Sequence, residues 1–243
     1  MPVPALKGKS AIVTGGARRI GREIALALAR AGSDVTVTFR TSEADAAHTV
    51  QSIQALGSRA QAVCCDVRSE VSVKQMVGAA LAFHQRLDLL VNNAAVFESA
   101  RLDQISLEEW DKVFETNTRG PFLVAREAIA SLRSTHGRII NIGSLGGLHA
   151  WASHAHYCAS KAALHMLTQA MAKGFAPEVS VNCVAPGWIA MEESNDKEMA
   201  KFAAMTPLRR NGTAEDVAEA VLYFACTGFV TGQILTVDGG LGL

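Results

Sequence analysis

The chain has 243 residues, 49% of them hydrophobic, with 23 lysines and arginines balanced by 23 aspartates and glutamates. That size and apolar content bury a full core as an α/β domain, and zero net charge gives no electrostatic drive towards nucleic acid or an anionic membrane surface. The start, MPVPALKGKSAIVTGG, lacks a basic segment followed by an apolar stretch and a cleavage site, and no apolar run is long enough to span a bilayer. Five cysteines without metal-ligand spacing predict no metal site and a reduced, cytoplasmic setting, with the neighbours Cys64 and Cys65 on opposite faces of a strand.

Short β-branched runs alternate with alanine-rich amphipathic stretches. In chain order the pattern predicts a strand at 11–14, a helix at 20–31, a strand at 35–39, a helix at 44–56, a strand at 60–64 and a helix at 71–83. A strand at 87–92 and a long helix at 107–133 follow, the latter opened by the capping-box pair Ser106 and Glu109. The C-terminal half predicts a strand at 138–142, a helix at 155–173, a strand at 179–184, a helix at 214–225 and a strand at 234–237. Buried strands alternating with helices give a seven-stranded parallel sheet covered on both faces. No repeat or linker divides the chain, so one domain over 1–243 is expected. Two irregular stretches, the glycine-rich 143–154 and the methionine-bearing 187–213 (Met191, Met199, Met205), follow strand ends, where open α/β sheets bind ligands. The second is read as a substrate lid.

The stretch TGGARRIG, residues 14–21, joins the first strand to the first helix. A glycine-containing turn opening a helix suits a dinucleotide pyrophosphate, because the helix N-terminus offers unpaired N–H groups and a positive dipole end. Gly15 and Gly21 stand where the tight turn and close helix–strand packing are needed. Cofactors lacking a 2′-phosphate are recognised by an acidic residue about 20 positions further on. Here the second strand ends VTVTFRTSE, with Arg40 after Phe39 and no acid between Val35 and Ser42. Arg18 and Arg40 are therefore read as a 2′-phosphate pair selecting NADP(H).

Tyr157 and Lys161 lie four apart near the start of a helix, on one face. An ammonium beside a phenol is expected to lower the tyrosine pKa from its reference of about 10 and fit it for proton transfer. Ser144 closes the fifth strand in IINIGS, and the loop between them can bring both hydroxyls to one oxygen. Pro121 has no N–H and clashes with the carbonyl four residues earlier, that of Asn117, which is then available to hold water near Lys161. His149, His154 and His156 are expected to line the substrate entrance or to face water.

Taken together, TGGARRIG, Asp66-Val67, the NNAA run at 92–95, Asn117, Ser144, Tyr157/Lys161 and Pro186-Gly187 resemble the short-chain dehydrogenase/reductase family over essentially the whole chain. The resemblance implies a doubly wound Rossmann fold, a homotetramer, and hydride transfer between a nicotinamide cofactor and a carbonyl or alcohol of a small molecule. It implies Tyr157 as general acid/base, Ser144 as the group orienting the substrate oxygen, Lys161 on the nicotinamide ribose and Asn117 supporting a proton-relay water. The implied cofactor residues are Gly15, Arg18, Arg19, Ile20, Gly21, Arg40, Asp66, Val67, Asn93, Ala94, Tyr157, Lys161, Pro186, Gly187 and Ile189. Trp151, His154, Phe97 and Ser144 are the substrate candidates.

Four features depart from the family pattern. Arg19 replaces a glycine or alanine, NNAA replaces NNAG, Met191 replaces a threonine after the Pro-Gly turn, and the connections PEVSVN and CTGFVTGQ are short. The C-terminal VTGQILTVDGG is similar to 3-oxoacyl-(acyl-carrier-protein) reductases. Thr135 and Glu178 stand where arginines would hold a carrier protein, and His154 replaces a glutamine. The arginine pair and the NNAA ending are similar to pteridine reductases, which place an aspartate where Ser144 stands. A carbonyl reductase is the leading reading, a pteridine (dihydropterin/dihydrofolate) reductase the runner-up, and a non-catalytic NADP(H) sensor the alternative of another class. Arg19 is read either as turned away from the pyrophosphate or as reaching over it towards substrate.

Overall fold

A computed structural model describes residues 5–191 and 194–243; Met1–Pro4, Glu192 and Glu193 lie outside it. All seven strands foreseen are present: β1 (Ser10–Val13), β2 (Asp34–Phe39), β3 (Ala60–Cys64), β4 (Leu89–Asn92), β5 (Arg138–Ile142), β6 (Ser180–Pro186) and β7 (Ile234–Val237). They form one parallel sheet in the order β3-β2-β1-β4-β5-β6-β7, with Val13 level with Val37 on one side and Val91 on the other. β1 and β4 are buried at every position, as strands covered on both faces must be.

The two-residue period of β1 divides its side chains between two cores. Ala11 and Val13 pack with Ile24, Leu28, Val221 and Phe224 from helices α1 (Arg19–Arg30) and α8 (Ala214–Cys226). Ile12 faces the other way, towards Met76 of α3 (Glu70–His84) and Val124 and Leu132 of α5 (Gly120–Ser134). Burying a side chain of this kind contributes about 1.5–3 kcal/mol, so both helical layers are held mainly by their apolar stripes. Cys64 is exposed and Cys65 buried, the alternation expected of strand neighbours. The strand order reverses between β1 and β4, and the C-terminal ends of these two strands open the crevice where such sheets bind ligands.

Two expectations are corrected. The predicted helix 107–133 is not continuous: α4 (Leu107–Phe114) passes through a π turn, Glu115–Arg119, before α5 begins. The N–H of Gly120 bonds the Glu115 carbonyl five residues back, and Pro121 follows with no N–H to restore the ordinary ladder. The capping box foreseen at Ser106 and Glu109 is present and fixes the start of α4. Second, the stretch read as irregular contains helix α7 (Asp196–Met205), started by the Asn195 side chain, which accepts the Glu198 N–H at 2.9 Å. Its polar first turn masked a short helix whose cap lies one residue before it. α2 (Glu43–Ala55) and α6 (Ala155–Phe175) complete the set. No described helix is long and apolar enough to cross a membrane.

Candidate active site

A cavity of about 970 Å³ runs along the C-terminal ends of β1, β2, β4, β5 and β6. Its first end is the β1–α1 loop. Gly15 has φ +63°, a left-handed conformation that side chains rarely adopt, and its N–H bonds the Thr38 hydroxyl at 3.1 Å. A Cβ on Gly21 would lie 2.2 Å from the Gly15 carbonyl oxygen and 2.4 Å from the Asn93 amide nitrogen, so only glycine fits there. Asn93 fixes this cradle: its amide donates to the carbonyls of Thr14 (2.9 Å) and Gly15 (3.0 Å). The Thr14 hydroxyl accepts the N–H groups of Asn93 and Ala94 at 3.0 and 3.1 Å. Thr14 was not singled out by sequence. It ties β1 to β4 at the crevice, and its only signal was its place beside Gly15.

Helix α1 starts with no side-chain cap, so its first N–H groups are left to whatever occupies the cavity. Arg18, Arg19 and Arg40 are exposed and line that cavity, together with the hydroxyl residues Thr41 and Ser42, which the sequence reading passed over. Arg19 takes φ +54°, a left-handed conformation that residues other than glycine rarely adopt. Asp66 and Val67 line the same end. The Asp66 carboxylate is engaged by the Arg68 guanidinium at 2.6 and 3.0 Å, and this pairing holds its pKa below the usual range. Arg68, two residues on, was invisible to motif reading.

The second end gathers Ser144, Tyr157 and Lys161. Ser144 stands at the end of β5 in extended backbone, and its hydroxyl accepts the Gly146 N–H at 3.0 Å. Tyr157 lies in the first turn of α6, and Lys161 sits one turn on. The Lys161 ammonium is buried, donates to the Ile142 carbonyl at 2.7 Å and lies 5.8 Å from the centre of the Tyr157 ring. Burial pushes the lysine pKa down to about 8. Burial likewise pushes the Tyr157 phenol up to about 12, with the Ser144 hydroxyl working the other way. The expectation that Lys161 lowers the tyrosine pKa is therefore corrected: desolvation outweighs an ammonium that is turned to Ile142.

Beneath Ser144 lies His165, a residue the sequence reading missed. Its Nε2 accepts the Ser144 N–H at 3.4 Å, and burial pushes its pKa down to about 4, so the ring is neutral near pH 7. A Cβ on Gly143 would meet this ring at 2.3 Å, and one on Gly147 at 2.6 Å. The glycines of the 143–154 loop thus make room for a histidine as much as they bend the chain.

Asn117 is 1% exposed and acts through its side chain as a clamp. Its carbonyl oxygen accepts the Val96 N–H at 2.9 Å, while its amide donates to the Val96 carbonyl at 3.0 Å and to Ser160 Oγ at 3.1 Å. It joins the end of β4 to α6, and its backbone lies in the π turn that Pro121 follows.

Pro186, Gly187 and Ile189 leave β6 along the cavity. Gly187 admits no side chain, because a Cβ would lie 2.6 Å from that of Asp238. Met191 and Met205 line the cavity, and Trp188 stacks on Phe202 of α7 with ring centres 3.9 Å apart. Phe97 and Trp151 lie against Tyr157, and His154 packs against both of them. His149 and His154 line the cavity, but His156 is wholly buried and neither of its ring nitrogens has a hydrogen-bond partner among the described residues, contrary to the expectation of an open or lining position. Its site within the first turn of α6 turns it inward while Tyr157 faces the cavity.

Comparison with known proteins agrees with this geometry. The family model described as enoyl-(acyl carrier protein) reductase matches residues 15–242. A 3-oxoacyl-[acyl-carrier-protein] reductase of Synechocystis is 37% identical, covering 98% of this chain and 98% of its own. Among solved structures, a short-chain dehydrogenase/reductase from Serratia marcescens superposes with a TM-score of 0.94 at 32% identity, covering 98% of this chain and all of the other. A blue fluorescent protein from a metagenomic library, solved in complex with NADPH, gives 0.92 at 34% identity over 98% of this chain and all of the other. A doubly wound parallel sheet, a glycine-cradled crevice and a serine–tyrosine–lysine cluster at its mouth, matched across nearly the full length, make this chain an oxidoreductase of the short-chain dehydrogenase/reductase family.

Proposed function

We propose that the protein is an NADP(H)-dependent carbonyl reductase of the 3-oxoacyl-reductase-like kind, acting on a small molecule. The observation that carries this reading is the continuity of one cavity from Arg18 and Arg40 at one end to Ser144 and Tyr157 at the other. The residues fit a dinucleotide. Gly15 and Gly21 leave a cradle that any Cβ would fill, the uncapped start of α1 faces it, and two guanidiniums with two hydroxyls suit a 2′-phosphate. The NADPH complex of the metagenomic relative supports the same choice.

Gly15, Gly21 and the start of α1 would hold a reduced nicotinamide cofactor, which when bound would supply the hydride that a carbonyl carbon takes up. Tyr157, protonated at neutral pH because its pKa is near 12, gives its proton to the carbonyl oxygen, so that the carbonyl becomes an alcohol. Ser144 donates a hydrogen bond to that oxygen, and the buried Lys161 charge stabilises the negative charge developing near it. Reduction is the direction a protonated phenol serves; oxidation of the alcohol asks for the phenolate and so for alkaline conditions. Asn117 holds the catalytic helix against β4, with its backbone carbonyl in place for a relay water, and α7 with its flanks over 187–213 is a lid on one catalytic domain. A homotetramer is the assembly proposed, covering exposed apolar side chains such as Phe122, Met166 and Phe229.

The test is an NADPH-oxidation assay over simple ketones, a 3-oxoacyl thioester, an enoyl thioester and a dihydropterin. Turnover of the ketones and the 3-oxoacyl thioester is expected. Turnover of the dihydropterin or the enoyl thioester alone would overturn the carbonyl assignment, and cofactor binding without turnover of anything would favour a sensor. The pterin reading is disfavoured by Ser144 in place of an acid. Among the described residues, the only carboxylate lining the cavity is Asp66, which Arg68 engages at the opposite end.

A further inference from the structure

The rings around Tyr157 form two parallel pairs set at right angles. Phe97 lies parallel to His154, with centres 4.5 Å apart and planes 14° from parallel. Trp151 lies parallel to Tyr157 at 6.3 Å and 13°. Between the pairs the planes cross at 84° for Phe97 and Tyr157 and at 85° for Trp151 and His154. The result is an aromatic corner with the reactive phenol on one of its walls. Its position is fixed from below: the indole rests on Gly146, whose absent Cβ would lie 3.0 Å from it, and the His154 ring is held by the Ser153 hydroxyl at 2.9 Å.

This corner faces open space. Phe97 is 58% exposed although it lies in a cavity wall, an apolar ring with one face unclaimed. Across the cavity, the stacked Trp188 and Phe202 together with Ile189 and Met205 give a second apolar wall. The described charged residues of the lining, Arg18, Arg19, Arg40 and Asp66, belong to the β1–β3 side, and Lys161 is spoken for by the catalytic cluster. Burial also holds the His154 pKa below its usual value, which keeps that ring neutral near pH 7. A substrate matched to these walls is neutral and flat. Perpendicular ring faces favour an arene over an alkyl group of equal size, because the electron-rich face of a ring attracts ring edges as well as stacking partners. A saturated ring or a flexible acyl chain makes only the dispersion contacts.

Resting on the carbonyl-reductase reading above, we propose that the substrate is a neutral ketone with an aromatic ring next to its carbonyl, and that Phe97 and Trp151 set this preference. The ring seats in the corner while the ketone oxygen points to the hydroxyls of Tyr157 and Ser144.

The experiment compares acetophenone with cyclohexyl methyl ketone, two ketones of nearly equal size, by kcat/KM with saturating NADPH. The two differ in intrinsic reactivity, so the readout is how the phenyl-to-cyclohexyl ratio changes on substitution, which cancels that difference. Phe97→Leu and Trp151→Leu are each expected to lower the ratio about five- to tenfold, and the double variant further, whereas Phe97→Tyr retains it. NADPH binding, followed by fluorescence, reports that each variant is folded. A ratio within twofold of the parent in both single variants and the double variant overturns the proposal. If the parent reduces both ketones but the ratio ignores the rings, only this inference fails; if it reduces no ketone at all, the carbonyl-reductase reading itself fails.

Discussion

The two ends of the cavity are built by opposite means. At the glycine-loop end the cradle itself is made of backbone, with the Arg18 and Arg40 side chains beside it: glycines without room for a Cβ, a helix start without a cap, and an asparagine and a threonine that bond only main-chain groups. The substrate end is made of side chains, rings set against rings with a buried lysine and a neutral histidine beneath. A backbone site is intolerant and general, so it suits a cofactor shared by many enzymes. A side-chain site can be re-cut one residue at a time, and substrate choice belongs there.

The most severe break falls on the chemistry. Tyr157→Phe removes the proposed proton donor while leaving both ends of the cavity in place, so turnover is expected to fall roughly 10²-fold or more with NADPH binding retained. Equal loss of binding would mean that the ring serves the fold rather than the reaction. Gly21→Ala strikes the backbone end instead. Its Cβ has nowhere to go within 2.2 Å of the Gly15 oxygen, so cofactor affinity is expected to drop at least tenfold, with a stability loss of about 1–3 kcal/mol in urea unfolding. A substitution of the same size at Gly78, where a Cβ meets nothing within 4 Å, is the control.

How far each end was legible in the sequence follows from the same contrast. Gly15, Gly21, Arg18 and Arg40 belong to two consecutive strand–helix turns, where local rules dictate residue type, and all four line the cavity. The substrate end draws on 97, 144–157 and 188–205, segments far apart in the chain. There the parts were named, but their arrangement was not. His165 was hidden because a buried histidine in an alanine-rich helix has no motif, and only the space it takes from Gly143 and Gly147 reveals it. The π turn was half legible: Pro121 announced a fault in the helix, but not that the chain would absorb it with an extra residue. The electrostatic expectation failed because spacing gives Lys161 a face of the helix, not a direction for its ammonium, and burial raises a phenol wherever the cation points.

Acidity sharpens the comparison with a gentler effect. Within the Ser144, Tyr157, Lys161 and His165 cluster, Tyr157 near 12 stays protonated and His165 near 4 stays neutral through the physiological range, which leaves Lys161 near 8 as the group of that cluster that titrates. Its charge is present below that value and lost above it. kcat/KM for NADPH, which reports free-enzyme ionisations, is therefore expected to be level from about pH 6 to 7.5 and to decline as pH rises through about 8. A profile that rises through this interval contradicts the assignment. The smallest effect lies outside both ends. Thr213→Ala removes the hydroxyl that accepts the Asp216 N–H at the start of α8, and is expected to cost about 1 kcal/mol of stability while kcat/KM for both cofactor and ketone stays within twofold.

The central claim, that one cavity joins a 2′-phosphate site to a tyrosine proton donor, is tested most directly by the ratio of kcat/KM for NADPH over NADH. The parent is measured beside Arg18→Ala, Arg40→Ala and the double variant. Each charge-assisted contact is worth roughly 1.5–3 kcal/mol, so the parent is expected to favour NADPH by about 10²-fold or more. Each single variant should lose at least tenfold of that preference, and the double variant should approach parity by losing activity with NADPH while keeping it with NADH. A parent enzyme that prefers NADH, or a preference for NADPH that survives loss of both arginines, would contradict the account.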